Sequence, residues 1–393
     1  MFQNKNILLA IGGGIAVYRI AELARLLMKQ GAQVRCVMTQ SACEFVTPLT
    51  FEALTGEKVH TDLFDLTLER EMGHIQLARW ADAVVIAPAT ANLIAKLTHG
   101  IADDLLTTMM QVCDAPVLLA PAMNTSMWQS AATQRNVQQL QTSGFTVLPP
   151  ACGMLACGEQ GAGRLPEPQS IADAILPLLL PQELTGEHWV INAGPTQEPW
   201  DAVRLLTNRA SGTLGARLAQ IAAAMGARVS LIAGVGTSEF GHGIQRVDVQ
   251  TAAEMLQACE EHAKGCDVFI GTAAVSDFRF TDISDEKIKR GDTQQLDVHL
   301  TSNTDIVAYI AAMQSRPKKM IAFAAESSNH LVYAKKKLLQ KGVDAIVAND
   351  VQNMGRSSAG GWWLSHQCEA ILESSTKQEF AQQIINKIME IQP

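Results

Sequence analysis

The chain contains no long hydrophobic run, no excess of positive charge and no low-complexity segment. None of its apolar stretches reaches the roughly 18 uninterrupted residues that a membrane-spanning helix needs, so we predict no membrane-spanning segment. The formal net charge is −8, which disfavours a surface for nucleic acid or for an anionic membrane. An anionic ligand would therefore need donors that are placed locally.

The eight cysteines do not have the spacing of a disulfide framework. Irregularly spaced cysteines in a chain of 393 residues are typical of reduced thiols, and we expect a cytoplasmic protein. The apolar start at residues 7–18 is interrupted by three glycines and is followed by Arg19. This pattern is typical of a first strand and a glycine turn rather than of a signal peptide.

Short apolar runs alternate with amphipathic segments in both halves of the chain, which predicts an α/β fold of two domains. The predicted strands of the first half include Asn6–Ile11, Gln33–Met38, 83–87 and 117–120. Helices between them imply a doubly wound parallel sheet. A proline-rich stretch follows, and the alternation restarts at Trp189 as a second, Rossmann-like sheet. We place the two domains at residues 1–182 and 188–393.

Glycines and hydroxyl residues follow the predicted strands of the first half, where parallel sheets bind ligands. A glycine turn before a helix suits a phosphate, although a plain tight turn is also possible. The second strand ends at Met38 without the carboxylate that an NAD ribose requires, which favours flavin mononucleotide (FMN) over a dinucleotide. The residues predicted to bind this cofactor are Gly13, Gly14, Thr39, Ser41, Thr90, Asn92 and Met123.

His74, Asn124 and Cys157 each have an ordinary explanation: a packed histidine, a helix cap and a structural thiol. Their surrounding motifs, however, occur together and in order: GGGIAVYR, MGHIQL, APATAN, PAMNTSMW and ACGEQGAGRL. These motifs resemble the flavin-containing cysteine decarboxylase family over nearly all of residues 1–180. The resemblance implies a flavodoxin-like flavoprotein domain that decarboxylates phosphopantothenoylcysteine with FMN.

The resemblance also assigns roles to the three residues. Cysteine decarboxylation needs an electron sink, which hydride transfer to the flavin provides by forming a thioaldehyde. His74 would be the base and position the substrate carboxylate, Asn124 would hold that carboxylate, and Cys157 would return a proton. The family usually has Ser or Thr where this chain has Gly12, so one hydroxyl contact to the phosphate is expected to be missing.

The second half contains NAGPTQEPWDAVRLLTNRASGTLG, AVSDF, EKIKR, SNTDIVA and IAFAAE. A glycine turn at residues 211–215 or a pair of helix lysines is weak alone, but together the motifs resemble the phosphopantothenate–cysteine ligase family over most of residues 188–393. The resemblance implies CTP and Mg²⁺, an acyl-cytidylate intermediate, and support of that intermediate by Asn208 and Arg204. The implied CTP-binding residues are Gly271, Thr272, Ala273, Asp277, Lys287, Asn303, Thr304, Asp305, Ile306, Phe323, Lys337 and Lys341.

Lys287 is also expected to act in catalysis, whereas the metal ligands are not identified. Departures from the ligase pattern at Ala210, Thr304 and residues 357–365 affect fine substrate contacts. The two halves together resemble the bifunctional proteins of coenzyme A biosynthesis, in which the ligase product is the decarboxylase substrate. The implied substrates are 4′-phosphopantothenate, cysteine and CTP, and the implied assembly is a dodecamer of flavin-domain trimers and ligase-domain dimers.

Two other classes remain open. The chain could be a non-catalytic flavin-binding regulator, against which the presence of both His74 and Cys157 argues. It could instead be a nicotinamide-dependent oxidoreductase, against which the missing carboxylate after Met38 argues.

We predict that Cys157→Ser separates the two stages of decarboxylation. A serine hydroxyl is far less acidic than a thiol, whose reference pKa is about 8.5, so proton delivery to the enethiolate slows greatly. Mass spectrometry should detect a decarboxylated, oxidised enethiol and the spectrum should report reduced flavin. Ligation by the same variant is the internal control and should be normal. A normal yield of phosphopantetheine would refute a catalytic role for Cys157.

Overall fold

The computed structural model describes residues 2–63, 73–155, 158–238, 241, 243–289, 296–326, 330–350 and 358–391. The chain divides into two compact units, Met1–Pro181 and Gln182–Pro393. Within the described ranges, every helix is too short or too polar to cross a lipid bilayer.

The first unit is built on a parallel sheet of five strands in the order β2-β1-β3-β4-β5. These strands are β1 Asn6–Ile11, β2 Gln33–Met38, β3 Ala83–Ala89, β4 Val117–Pro121 and β5 Thr146–Val147. The described helices are α1 Tyr18–Lys29, α2 Gln40–Cys43, α3 Pro48–Thr55, α4 His74–Trp80, α5 Ala91–His99, α6 Leu105–Met110, α7 Thr125–Gln129, α8 Ala131–Thr142 and α9 Pro168–Leu179. The strand order is that of flavodoxin-like folds, which confirms the predicted fold class.

Hydrophobic pattern explains these elements. All seven residues of β3 are buried, as expected for a central parallel strand covered on both faces. Helix α1 turns Ile20, Leu23 and Leu27 toward the sheet, at helical spacing. The chain before α1 forms a short 3₁₀ turn at Ile15–Val17.

A glycine-rich hairpin that the sequence did not predict follows the sheet. Its strands are β6 Ala151–Met154 and β7 Gln160–Arg164. A Cβ atom on Gly163 would lie 2.2 Å from the carbonyl oxygen of Met123, so only glycine permits this approach of the hairpin to the end of β4.

The second unit is built on an eight-stranded sheet in the order β12-β11-β8-β13-β16-β17-β18-β19. Its strands are β8 His188–Ala193, β11 Arg228–Ala233, β12 Ile244–Asp248, β13 Val268–Gly271, β16 Lys319–Glu326, β17 Ala345–Asp350, β18 Ser358–Ser365 and β19 Glu369–Thr376. Two ribbons accompany it: β9 Gln197–Pro199 with β10 Leu205–Thr207, and β14 Phe278–Phe280 with β15 Leu300–Ser302.

The first six strands of this sheet are parallel, and the last two are antiparallel to their neighbours. Counted along the chain, the parallel strands have the order 3-2-1-4-5-6, which is the Rossmann order and confirms the predicted class. The described helices are α10 Thr213–Ala224, α11 Ala252–Ala263, α12 Ile306–Ala311, α13 His330–Lys341 and α14 Lys377–Glu390.

Helices α10 and α14 pack against each other, and both begin at the carboxyl edge of the sheet. The end of α14 is fixed at the opposite edge, because Lys319 at the start of β16 donates from Nζ to the carbonyl of Ile388 at 3.1 Å. The start of α10 follows Gly212, and the helix covers β8. The two positive helix ends therefore point toward the same edge.

An ion pair between the buried Asp201 and the partly exposed Arg204 ties two loops of the second unit together. Asp201 accepts hydrogen bonds from its own loop, from the Arg204 guanidinium at 2.9 Å and from the amide of Ile288 at 3.0 Å. Arg204 also donates to the carbonyl of Ile288 at 2.8 Å. Ile288 is therefore held by both of its backbone polar groups. The Arg204 guanidinium holds the pKa of Asp201 well below its usual range, so the pair remains ionised at neutral pH.

We predict that Asp201→Asn loosens the segment around Ile288. Asparagine cannot supply the charge that Arg204 pairs with, and it offers one acceptor oxygen in place of two. The amide of Ile288 should exchange with solvent deuterium faster by roughly tenfold, the size expected for a lost hydrogen bond to a charged group. Asp248→Asn, which removes the exposed ion pair with Arg246, is the control and should leave this amide unchanged. If the Ile288 amide exchanges equally slowly in both variants, Asp201 does not hold this segment in place.

Candidate active sites

A cavity of about 1060 Å³ lies at the carboxyl edge of the first sheet. It is lined by the glycine turn after β1, by the residues that follow β2 and β3, and by the end of β4. The strand order reverses between β1 and β3, so the chain leaves these two strands toward opposite faces and a crevice opens between them. The cavity occupies this crevice.

The residues predicted to bind the cofactor all line this cavity: Gly13, Gly14, Thr39, Ser41, Thr90, Asn92 and Met123. Thr39 and Thr90 also cap helices, since each hydroxyl oxygen accepts a backbone N–H at 3.2 Å. Apolar side chains, among them Ile15, Met127 and Leu165, complete the wall. Helix-start amides, hydroxyls and an apolar wall suit a planar cofactor that carries a phosphate.

Gly12 has no room for a side chain. A Cβ atom there would lie 2.4 Å from the carbonyl oxygen of Pro88, well inside van der Waals contact. The turn at Gly12 packs directly on the end of β3, and a side chain with a hydroxyl has no space there. A serine would require the turn to shift.

Asn124 joins the same cavity at the start of α7. Its Oδ1 accepts from the amide of Ser126 at 2.8 Å, and its Nδ2 donates to Oε2 of Glu159 at 2.7 Å. The amide thus holds a carboxylate, as the sequence predicted for the substrate, but this carboxylate comes from the loop of the β6–β7 hairpin. The sequence analysis did not identify Glu159.

Two other residues of the first half are predicted to be catalytic. His74 is the first residue of α4, is half-buried and does not line the cavity. Cys157 lies outside the described residues. Their catalytic roles remain predictions.

A second cavity, of about 690 Å³, lies at the carboxyl edge of the second sheet. Here the strand order reverses between β8 and β13, and the cavity extends from this crevice to β16 and β17. The predicted ligase residues that line it are Asn208, Gly271, Thr272, Ala273, Asp277, Asn303, Thr304, Asp305, Ile306, Phe323 and Lys341. Ala210, a departure from the family pattern, is also part of the lining.

Three predicted residues do not line this cavity: Arg204, Lys287 and Lys337. Arg204 is engaged by Asp201 and lies over the Trp200 ring at 4.0 Å from its centre, so its guanidinium is committed to structure. Lys287 is exposed and directly precedes Ile288, whose amide donates to Asp201. Lys337 is half-buried on α13.

The turn before α10 depends on glycine. Gly212 has a φ of +66°, and a Cβ atom there would lie 2.5 Å from Oγ1 of Thr237. A side chain would therefore meet both a strained backbone and a collision. This conformation brings the turn and the first residues of α10 to the cavity wall, where their polar groups meet a ligand.

Asn192, at the end of β8, shapes the floor of the second cavity. It is 1% exposed, and its Oδ1 accepts the amides of Thr272 at 2.9 Å and Ala273 at 3.0 Å. The backbone after β13 is thereby fixed. On the opposite wall, Lys341 pairs with Asp305 at 2.8 Å. Burial opposes ionisation of Asp305, but the bonds from Lys341 and from helix amides outweigh it and lower the pKa of this carboxyl group.

Among the lining residues of the second cavity that sequence reasoning did not identify are Asn192, Ser276, Asn349 and Lys377. The Oγ of Ser276 and the Oδ1 of Asn349 are buried and have no hydrogen-bond partner within the described part of the chain. Asn349 could have been identified by its position directly after the apolar run of residues 345–348. Nothing in the local sequence distinguishes Lys377 from an ordinary helix lysine.

Comparisons with known proteins agree with the division into two units. Residues 1–180 match the family model "Flavoprotein", and residues 184–391 match "DNA/pantothenate metabolism flavoprotein C-terminal domain". The crystal structure of the C-terminal domain of a coenzyme A biosynthesis bifunctional protein is 32% identical, covers 52% of this chain and 95% of its own, and has a TM-score of 0.46.

Two curated relatives extend over most of the chain. The coenzyme A biosynthesis bifunctional protein of Vibrio parahaemolyticus is 41% identical, over 99% of this chain and 98% of its own length. That of Vibrio cholerae is 44% identical, over 90% of this chain and 89% of its own length. Identity at this level over the full length shows the family, and the chain belongs to the coenzyme A biosynthesis bifunctional proteins.

Proposed function

We propose that the chain catalyses two consecutive steps of coenzyme A biosynthesis. The second unit joins 4′-phosphopantothenate to cysteine with CTP, and the first unit decarboxylates the product, phosphopantothenoylcysteine, to 4′-phosphopantetheine. The observation that carries the proposal is the grouping of predicted residues. Most of the predicted residues of each half, identified from motifs far apart in the sequence, line one cavity at a sheet switch point.

The ligase step requires activation of a carboxylate, since a carboxylate does not react with an amine. CTP would convert it to an acyl-cytidylate, with pyrophosphate as the leaving group. The turn before α10 would present amides to the phosphates, and Asn208 lines the cavity with its Nδ2 bonded to the carbonyl of Ala274 at 2.9 Å. Mg²⁺ would enter with the triphosphate, near Asp277 and Asp305, the two carboxylates of the lining.

Lys287, which is exposed and outside the cavity lining, would stabilise the developing negative charge of the intermediate. Its backbone position is set by the hydrogen bonds that Asp201 and Arg204 make to the backbone of the next residue, Ile288. Arg204 would then support the acyl-cytidylate through Lys287 rather than by contact. This interpretation accounts for its place outside the cavity wall.

The decarboxylase step would use the first cavity. FMN, when bound there, supplies a hydride acceptor that can return the hydride later. Asn124 would orient the substrate carboxylate after Glu159 has left its amide. The apolar wall would exclude water from the reacting carbon, and Cys157 would deliver the final proton.

The proposal extends to the assembly and the location of the protein. By family resemblance, the chain forms a homo-oligomer, with a dodecamer as the specific expectation. Cys36, Cys259 and Cys266 are buried free thiols, and burial raises the pKa of each to about 12. Such thiols are unreactive at neutral pH, which is compatible with the cytoplasm.

The purified protein should be yellow, with FMN and no nicotinamide. Incubation with 4′-phosphopantothenate, cysteine, CTP and Mg²⁺ should yield a product with the mass of 4′-phosphopantetheine. A colourless protein that cannot be reconstituted with FMN would refute the decarboxylase assignment. A nicotinamide spectrum would favour an oxidoreductase, and bound FMN without any product would favour a regulator.

Lys287→Gln should reduce the ligase kcat by roughly a hundredfold or more, because a neutral amide stabilises developing negative charge poorly. Decarboxylation of supplied phosphopantothenoylcysteine should remain at the wild-type rate. Lys289→Gln, two positions along the same exposed segment, is the matched control. Equal ligase rates for Lys287→Gln and the wild type would remove Lys287 from the site.

A further inference from the structure

Three cationic side chains line the second cavity: Arg209, Lys341 and Lys377. Lys341 is paired with Asp305, and Arg209 is exposed to solvent. Lys377 is half-buried, and among the described residues no carboxylate lies within ion-pair distance of it. Burial lowers the pKa of Lys377 without an opposing charge. This lysine therefore lacks the anion that a half-buried cation usually has.

The position of Lys377 at a helix start further disfavours its positive charge in the absence of an anion. Lys377 is the first residue of α14, where the helix dipole is positive and disfavours a cation. The nearest acidic residue in the first turn, Glu379, is already committed to the helix cap. Its Oε2 accepts from the amide of Thr376 at 3.0 Å and from the Thr376 hydroxyl at 2.8 Å. The capping carboxylate therefore does not neutralise the lysine.

A second positive helix end reaches the same cavity. Helix α10 packs beside α14, and its first residues, together with the turn at Gly212, belong to the lining. Two helix starts and one uncompensated lysine thus converge on a single space. Their summed potential favours an anion with several oxygens over a single carboxylate.

Two orphaned polar atoms indicate that this space is built for a ligand. Ser276 is 5% exposed, and its Oγ makes no hydrogen bond to any described residue. The Oδ1 of Asn349 is likewise buried and unbonded within the described chain. Buried polar atoms are nearly always satisfied in a native protein, and both residues line the cavity that Lys377 lines.

We propose that Lys377 binds a phosphate group of a ligase substrate. The identity of the substrates rests on the proposed function, whereas the anion site rests on the geometry. The phosphate could belong to the triphosphate of CTP or to the 4′-phosphate of phosphopantothenate. Both offer the same chemistry to an ammonium group: several charged oxygens that accept its three donors.

The test compares full-length wild type, Lys377→Gln and Lys377→Arg by calorimetric titration with CTP, with 4′-phosphopantothenate and with inorganic pyrophosphate. Lys377→Gln should bind at least one phosphate ligand roughly tenfold to hundredfold more weakly, the loss expected for a charged hydrogen bond. Lys377→Arg should restore most of the affinity. Lys387→Gln, which removes a lysine paired with Glu390 on the same helix, is the control and should bind like the wild type.

The pattern of losses identifies the ligand. Weaker binding of CTP and pyrophosphate alone assigns Lys377 to the triphosphate, and weaker binding of 4′-phosphopantothenate alone assigns it to the 4′-phosphate. Unchanged affinity of Lys377→Gln for all three ligands, or a wild type that binds none of them, overturns the inference. Failure of the proposed function is a separate result, since wild type could bind the anions and still form no product in the coupled assay.

Discussion

Both sites depend on one constraint, the reversal of strand order within a parallel sheet. All strand ends of one kind meet at one edge, and where the order reverses the chain departs toward opposite faces of the sheet. No connection then crosses the gap between the two strands. In the first unit this gap lies between β1 and β3, and in the second between β8 and β13. The gap therefore leaves room for a ligand at the carboxyl edge of each sheet.

Both cavities lie at a reversal of strand order, but different side chains line them. The first cavity combines a glycine turn with apolar side chains such as Met123 and Leu165. The second is lined by amides, hydroxyls and carboxylates, and its floor is fixed by the buried side chain of Asn192. An apolar crevice favours a flat, weakly polar group, whereas a polar one favours a heavily charged group. The two units therefore differ in what they select although their architecture is related.

The sequence predicted the central strands closely because their signal is local. Strand β1 is apolar from Ile7 to Ile11 and is bounded by polar residues and glycine, so its ends can be read directly. The hairpin of β6 and β7 gave no such signal, since its glycines and alanines have little hydrophobic pattern. Its position depends on the contact of Gly163 with Met123, which joins segments distant in sequence.

Site residues, like strands, could be predicted where their signal is local in the sequence. Thr90 and Asp277 lie directly after predicted strands or in recognisable motifs, and both were found. Lys377 reaches the second cavity only because α14 packs beside α10, and Glu159 meets Asn124 only because the hairpin folds back. Arg204 shows the converse. Its motif indicated a ligand contact, but its guanidinium is paired with the buried carboxylate of Asp201, three residues earlier.

The contact between Glu159 and Asn124 has a consequence for turnover. In the proposed decarboxylation, the substrate carboxylate and the like-charged carboxylate of Glu159 would compete for Nδ2 of Asn124. Decarboxylation destroys the competitor that belongs to the substrate, whereas Glu159 remains. The product would therefore leave with no carboxylate to oppose the return of Glu159 to Asn124. The hairpin would thus distinguish molecules before and after loss of CO₂ without contacting the part that both share.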